Sequence, residues 1–206
     1  KTLVVDRFAL FFKFLVMGIL ALVVMSSVEY VSRIRQFQGE YYGLMIFSAG
    51  GMMLLAATTD LISIYIALEL TALPLAALAA FMRDSRSTEA GVKFLLLSAM
   101  TSAVLLYGMA LTYGFTGTTQ LSAIFERLGA SLDTTVPFCS HALFLGVTMI
   151  VAGFGFKIAA VPFQMWVPDV YEGAPTPITA YLSVASKAVG FAGLLRVFYL
   201  AFASVN

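Results

Sequence analysis

Long, unbroken stretches of apolar residues follow one another along the chain, separated by short polar segments. Several stretches reach the roughly 20 residues that a helix needs to cross a hydrocarbon core of about 30 Å. Apolar and polar residues do not alternate within them, so the pattern favours helices over barrel strands, which need only about ten residues each. We therefore expect an all-α membrane protein. The six predicted spans cover approximately residues 8–29, 41–58, 61–82, 90–114, 139–167 and 178–203.

The polar segments are too short to separate independent units, and we expect a single transmembrane domain over residues 1–206. The longest of them covers about 115–138 and contains an amphipathic run, 121–128, that predicts a short surface helix. Arginines in the connections after the first and third spans indicate that these connections face the cytoplasm. The chain begins at Lys1, and we expect it to be a stretch of a longer polypeptide.

Composition supports the membrane interpretation. Hydrophobic residues make up 61% of the sequence and charged residues 11%, whereas about a quarter of the residues of a soluble domain are charged. The net charge is +1 without a basic cluster, so we expect no nucleic-acid partner and a lipid environment instead. The single cysteine, Cys139, excludes an internal disulfide, and with the single histidine, His141, it argues against a metal or haem site.

Three ionisable residues lie well inside the predicted spans: Glu69, Lys157 and Lys187. Each costs about 3 kcal/mol or more at the bilayer centre, so such residues mark ion or proton pathways by default. The alternative is a structural ion pair between Glu69 and Lys157, although buried pairs are weak sources of stability. Three further basic residues are interpreted as snorkelling side chains near span ends: Lys13, Lys93 and Arg196.

Pro162 follows Lys157 by five residues. Proline lacks a backbone donor and clashes with the carbonyl four residues earlier, here that of Ile158. We therefore expect the fifth span to be broken beside the lysine, and a break within a membrane tends to line a cavity because its freed backbone groups need partners. The alternative is an ordinary proline kink.

This arrangement predicts proton transfer. If Glu69 and Lys157 move together or apart, the lysine takes up or releases a proton. Lys187 on the next span is the expected acceptor. Side chains suited to holding the intervening water are Ser183, Ser186, Tyr107, Thr101 and Ser102.

Several segments resemble the antiporter-like membrane subunits of respiratory complex I, the proton-translocating NADH:quinone oxidoreductase. The sequences FKIAAVPF at 156–163 and WVPDVYEGAPTP at 166–177 resemble a broken helix and the loop after it in that family. The sequence SVASKAVGF at 183–191 is similar to the subunit N, or subunit 2, type, and LEL at 68–70 fits the same type. The resemblance covers nearly the whole chain.

The resemblance implies a fourteen-helix fold with two inverted five-helix repeats, of which this chain contains the first. It also implies that Glu69, Lys157 and Lys187 are the proton-carrying glutamate and lysines of that repeat. Gln164 is a departure, because the family often has histidine there. Glutamine can hold water by hydrogen bonding but does not titrate.

The resemblance further implies a function within a larger complex. FMN, iron–sulfur clusters and quinone would belong to other subunits, so that neither a cofactor nor redox chemistry is expected in this chain. Its partners would be the adjacent antiporter-like subunit M and small subunits such as K and J. The location would be an energy-transducing membrane, such as the bacterial inner membrane.

Three alternatives remain at this stage. The chain could belong to a homologous cation/proton antiporter or membrane-bound hydrogenase, which share the fold. It could be a purely structural membrane subunit, or a stand-alone transporter.

Overall fold

Helices account for nearly all of the residues that a computed structural model of the chain describes, which are 2–32, 37–131 and 137–202. Extended backbone there is limited to two isolated bridges, Leu3 to Thr58 and Asp60 to Gln120. The helices are α1 (Arg7–Ser32), α2 (Gln38–Ala57), α3 (Leu61–Ala79), α4 (Ser85–Thr116), α5 (Leu121–Ser131), α6 (Pro137–Lys157), a 3-10 turn (Phe163–Trp166), α7 (Val167–Gly173), α8 (Thr176–Tyr181), a π-helical turn (Leu182–Ser186) and α9 (Lys187–Ala201).

Five stretches of the described residues are long and apolar enough to cross a membrane. They are α1, α2, α3, α4 and the continuous helical run Thr176–Ala201. The fifth expected span, 139–167, is shorter than predicted, because α6 ends at Lys157 rather than continuing to residue 167. The expectation of an all-α membrane fold with a helix broken at Lys157 is confirmed. Residue 203, the last of the predicted final span, lies outside the described part of the chain.

The turns between the spans are fixed by aspartates that begin helices. The carboxylate of Asp60 accepts a hydrogen bond of 3.1 Å from the backbone N–H of Ser63 at the start of α3. Asp84 does the same for Ser87 in α4, at 2.7 Å. Each carboxylate satisfies one of the backbone donors that the first turn of a helix leaves unpaired. The chain therefore reverses direction sharply at both positions, and α3 and α4 are antiparallel neighbours.

Small residues let the helices approach closely, as is common in membrane bundles. A Cβ atom added to Gly91 of α4 would lie 2.5 Å from Cβ of Ala80, just after α3. One added to Gly108 would lie 2.7 Å from the carbonyl oxygen of Gly146 in α6. Neither position has room for a larger side chain, so these contacts hold α4 against α3 on one side and α6 on the other.

The predicted surface helix is present as α5, and one face of it is buried. Leu121, Ile124 and Leu128 have almost no exposed surface, and α5 packs against α9. Its start is tied to the beginning of α3, where Leu61 N–H donates to Thr119 and Thr119 Oγ1 donates to Asp60. The connection between α4 and α6 is therefore anchored to the bundle over its described part.

Arg196 joins the last helix to the segment before the first. Its guanidinium group donates a hydrogen bond of 2.9 Å to the carboxylate of Asp6 and lies over the ring of Phe8. Only 5% of Arg196 is exposed. The interpretation of Arg196 as a snorkelling side chain is therefore wrong. Its charge is paired inside the protein, because Asp6 lies close enough to replace the lipid headgroups.

Candidate functional site

The break after α6 is made by the backbone itself. The N–H of Ala160 donates to the carbonyl of Gly155 at 2.8 Å, and the N–H of Ala159 donates to that of Phe156 at 3.1 Å. Ala159 has a left-handed backbone with φ of 56°. These two bonds and the left-handed residue form a Schellman motif, which ends a helix by satisfying its last carbonyls. The helix thus ends at Lys157, five residues before Pro162, which then cannot restart it.

Trp166 closes the break from the other side. Its indole Nε1 donates a hydrogen bond of 3.1 Å to the carbonyl oxygen of Phe156. The indole ring packs against three aromatic rings, those of Phe94, Phe156 and Tyr171, at centroid distances of 5.0, 5.5 and 6.0 Å respectively. The carbonyl groups freed by the break are therefore satisfied by protein groups within an aromatic cluster.

A small cavity lies beside the break. Its polar lining consists of Lys157, Thr71 and Ser186, and its other walls are apolar. About 20 Å³ of it is open to the centre of a water molecule, which is enough space for one water. Thr71 and Ser186 donate their hydroxyl hydrogens to carbonyls of their own helices. Their oxygens keep free lone pairs, so the cavity favours a donor such as water or an ammonium group.

Lys157 ends α6 at this cavity. Its Nζ donates a hydrogen bond of 2.9 Å to Oγ of Ser98 on α4. Ser98 is 4% exposed. On this helix the sequence indicates Thr101 and Ser102 as candidates for holding water, but it does not single out Ser98. Ser98 could have been predicted, because it lies one turn before Ser102 and therefore on the same face of α4.

Glu69 does not pair with Lys157. The two side chains form no salt bridge, and Oε1 of Glu69 is buried without a hydrogen-bond partner among the described residues. The structural ion pair considered from the sequence is therefore not observed. Glu69 lies on α3, the helix that also contributes Thr71 to the lining of the cavity.

Lys187 begins α9 immediately after the π-helical turn Leu182–Ser186. Its Nζ lies 5.4 Å from the centroid of the Tyr171 ring, a cation–π arrangement. Ser186, the preceding residue, lines the cavity that contains Lys157. Isolated π-turns occur often at functional sites, where they change the direction of side chains. Ser186 therefore shares the cavity with Lys157 and is the neighbour of Lys187 along the chain.

Other predicted residues lie away from this cavity. Tyr107 is 56% exposed on the outer face of α4, and Gln164 is also exposed. Ser183 donates to the carbonyl of Ala180 and is not among the described residues that line the cavity. Thr101 donates to the carbonyl of Leu97 in its own helix. The structure therefore brings together Lys157, Ser186 and the neighbouring Lys187, but not Tyr107, Gln164 or Ser183.

A second, open cavity of about 200 Å³ lies between the start of α4 and α7, and it is lined by charges. Lys93 makes salt bridges to Asp169 at 2.7 Å and to Glu89 at 2.8 Å. Arg86 pairs with Glu172. The interpretation of Lys93 as a snorkelling side chain is wrong, because two carboxylates bind its ammonium group. All three of these ion pairs are exposed, so each contributes little to stability.

Metal ligands are not grouped in the described ranges 2–32, 37–131 and 137–202. No three side chains of histidine, cysteine, aspartate or glutamate lie together in a way that could bind a metal ion. Cys139 lies in a helix, but its side chain is outside the described part of the structure.

The fold, the broken helix and the partly buried lysine define an antiporter-like membrane protein, and comparison with known families agrees. Residues 58–206 match a family model described as "NADH:quinone oxidoreductase/Mrp antiporter, TM". The chain therefore belongs to this family of multi-pass membrane proteins. The resemblance stated from the sequence is confirmed.

The similar curated proteins are more specific. The chain is 48% identical to NADH-quinone oxidoreductase subunit N of Dehalococcoides mccartyi, with 96% of this chain and 41% of the relative covered. It is 49% identical to subunit N of Trichlorobacter lovleyi, with 98% and 41% covered. The chain thus spans about two fifths of the length of these relatives.

Solved structures give the same fold. A chain of respiratory complex I from Thermus thermophilus, with bound aureothin, is 36% identical and superposes with a TM-score of 0.78, covering 96% of this chain and 41% of that one. A chain of the Mrp complex from Dietzia sp. DQ12-45-1b has a TM-score of 0.79, with 97% and 36% covered. At 21% identity, the second likeness shows the fold alone.

Proposed function

We propose that this chain is part of a proton-translocating membrane subunit of an NADH-quinone oxidoreductase. The supporting observation is the position of Lys157. It ends a broken helix, lines a cavity large enough for one water, and shares that cavity with Ser186. An ionisable group inside a membrane span costs about 3 kcal/mol or more, and such groups mark functional sites by default. The 48% identity to subunit N relatives supports this complex in particular.

Lys157 is the group that binds and releases the proton. A water in the cavity accepts from the ammonium of Lys157 and donates to Ser186, which precedes Lys187 in the chain. A negative charge on Glu69 favours the protonated form of Lys157, and its neutralisation favours release. Each proton moved against the membrane potential requires about 2.3 kcal/mol per 100 mV, so the cycle must be driven from outside this chain.

The driving reaction belongs to partner subunits in this proposal. NADH oxidation at FMN, electron transfer through iron–sulfur clusters and quinone reduction take place elsewhere in the complex. The direct neighbours are the antiporter-like subunit M and small subunits such as K and J. The complex lies in an energy-transducing membrane, such as the bacterial inner membrane.

Two alternatives use the same fold. A chain of an archaeal membrane-bound sulfane sulfur reductase superposes with a TM-score of 0.78 at 26% identity, and the Mrp complex is similar in fold. The higher identity to the subunit N relatives favours the quinone-reducing complex. A purely structural subunit is less consistent with Lys157, which contacts a single hydroxyl and a cavity instead of pairing with Glu69.

The test is NADH-driven proton uptake by inverted membrane vesicles that contain the full-length protein with Lys157→Ala, normalised to assembled complex. We expect assembly to persist and proton uptake per electron to fall. Lys13→Ala is the matched control, because Lys13 lies on α1 and does not line the cavity among the described residues. Unchanged uptake per electron in Lys157→Ala would overturn the proposal. Loss of the complex itself would favour the structural alternative.

A further inference from the structure

Two buried polar atoms on neighbouring helices lack hydrogen-bond partners within the described ranges: Oε1 of Glu69 on α3 and Oγ of Ser102 on α4. Buried polar atoms nearly always have a partner, so an unpaired one marks a place where a water or a proton-carrying group belongs. Ser102 is 4% exposed, so bulk solvent does not satisfy it.

The two atoms lie at the same depth. α3 and α4 run antiparallel from their contact between Ala80 and Gly91, where an added Cβ would lie 2.5 Å away. Glu69 precedes Ala80, and Ser102 follows Gly91, by the same number of residues, about three helical turns each. Ser102 is also on the stripe of α4 that contains Gly91, since the spacing between them is close to a whole number of turns. Ser102 therefore faces α3 at the level of Glu69.

The same stripe of α4 leads to Lys157. Ser98 lies one turn before Ser102 and accepts the hydrogen bond of Lys157 at 2.9 Å. The hydroxyl hydrogen of Ser98 is then free to donate, because its oxygen already serves as an acceptor. Starting from Lys157, the next polar side chains met along this face are Ser98, then Ser102, and then Glu69 on the adjacent helix.

We propose that Ser98 and Ser102 form a hydroxyl bridge along α4, completed by water, that connects Lys157 to Glu69. This inference rests on the proposed function, and it assigns the two serines as positioning and relay residues. The ammonium of Lys157 gives one proton to Ser98 Oγ while Ser98 passes its own proton onward through water to Ser102, and Ser102 passes its own to Glu69. The products are a neutral amine and a neutral carboxylic acid. Both serines end as hydroxyls with their hydrogen bonds reversed.

The bridge explains the absence of direct contact between Glu69 and Lys157. A salt bridge within 4 Å would fix both charges and resist proton transfer, whereas hydroxyls that both donate and accept allow exchange in either direction. Removing either hydroxyl group interrupts the path for the proton without changing the charge of any residue.

The experiment uses the full-length protein in the assembled complex, with NADH-driven proton uptake per electron measured over a range of pH. Ser102→Ala is the first variant, because its hydroxyl has no partner among the described residues and its loss leaves packing intact. Ser98→Ala removes the acceptor of Lys157. We expect each variant to assemble, to lower proton uptake by about tenfold or more, and to shift the pH profile. Ser98→Thr and Ser102→Thr retain a hydroxyl and are expected to restore uptake.

Thr101→Ala is the matched control, because Thr101 lies on the same helix but bonds only to Leu97 in the described structure. Uptake should be unchanged in this variant. Normal uptake with a normal pH profile in both serine variants would overturn the bridge. If Lys157→Ala abolishes uptake while the serine variants pump normally, the bridge alone is wrong. If Lys157→Ala also pumps normally, the proposed function is wrong as well.

Discussion

Trp166 and Phe156 are joined across the break by a hydrogen bond of 3.1 Å from the indole Nε1 to the carbonyl oxygen. The same carbonyl accepts from the N–H of Ala159 at 3.1 Å. The last turn of α6 is therefore fixed both by the chain that leaves it and by a side chain that approaches from beyond the break. Lys157, the next residue, is positioned by that pair of bonds.

Replacing Trp166 with phenylalanine tests the hydrogen bond separately from the ring. Trp166→Phe keeps an aromatic ring in the cluster but removes the N–H donor. We expect the free energy of unfolding of the full-length protein in detergent to fall by about 1 kcal/mol, because Phe156 keeps its second donor. Trp166→Leu should cost more, since it also removes the ring contacts with Phe94 and Tyr171. Unchanged stability in Trp166→Phe would contradict a role for the hydrogen bond, whereas equal losses in the two variants would contradict a role for the ring contacts.

Because Ala159 has a left-handed backbone and Ala160 does not, replacing each with glycine should change the stability of the protein in opposite directions. An alanine in this conformation is strained by about 1–2 kcal/mol, whereas glycine is not. Ala159→Gly is expected to stabilise the protein by less than about 1 kcal/mol, because the freer unfolded chain offsets part of the relief. Ala160→Gly is the control. Its φ is not positive, so it should destabilise by roughly 0.5–1 kcal/mol. The unfolding temperatures of the two variants measure these changes in stability. A stabilising effect of Ala160→Gly would contradict the prediction.

The close contact between α4 and α6 predicts that replacing one glycine of α4 with alanine destabilises the protein strongly, whereas the same replacement at another glycine does not. In Gly108→Ala the new methyl group would lie 2.7 Å from the Gly146 carbonyl and 2.8 Å from Cβ of Met149. The helices must separate, with a cost of about 1–3 kcal/mol. Gly114→Ala on the same helix meets no described atom within 4 Å. Yield of assembled complex and unfolding temperature should fall only for Gly108→Ala.

The pair between Asp6 and Arg196 predicts a dependence of stability on pH. Burial raises the pKa of Asp6, but hydrogen bonds from Arg196 and from the N–H of Ala9, with the guanidinium charge, outweigh it and hold this pKa below its ordinary value. The stabilisation is therefore complete above the ordinary carboxyl pKa and is lost as pH falls through the lower value in the folded protein.

Asp6→Asn tests this pair. At neutral pH the variant should be less stable than the wild type by about 1 kcal/mol, because the Asp6 side chain is 41% exposed and solvent weakens the interaction. The difference should shrink as pH falls below about 4. Unfolding temperature in detergent as a function of pH measures it. A difference that stays constant over the titration of the carboxyl would show that charge is not the cause.

The sequence predicts the break near Lys157 because its signals are local. A lysine inside an apolar run and a proline five residues later lie on one segment, and neither depends on the rest of the fold. The cause of the break differs from the one expected, because α6 is ended by the backbone hydrogen bonds of Ala159 and Ala160, which precede Pro162. A Schellman motif usually has glycine at the left-handed position, and alanine gives no such signal.

The sequence does not predict which face of α4 lies inside. In a membrane helix the lipid-facing side is as apolar as the buried side, so periodicity does not distinguish them. Tyr107 was therefore expected in the relay but lies outside, whereas Ser98 was missed and contacts Lys157. The rotation of α4 becomes visible only in its contacts with neighbouring helices, such as those of Gly91 with α3 and Gly108 with α6.

The end of α6 at Lys157 has an electrostatic consequence of its own. The peptide dipoles of a helix add up to about half a negative elementary charge at its carboxyl end, and here that end coincides with the lysine. This partial charge comes from the backbone, so it can neither titrate nor move away. Lys157 thus keeps a permanent, incomplete counter-charge even when Glu69 is neutral. In the proposed mechanism this constant background makes gain and loss of the Glu69 charge a graded bias on the lysine, which is never left without a counter-charge in the membrane.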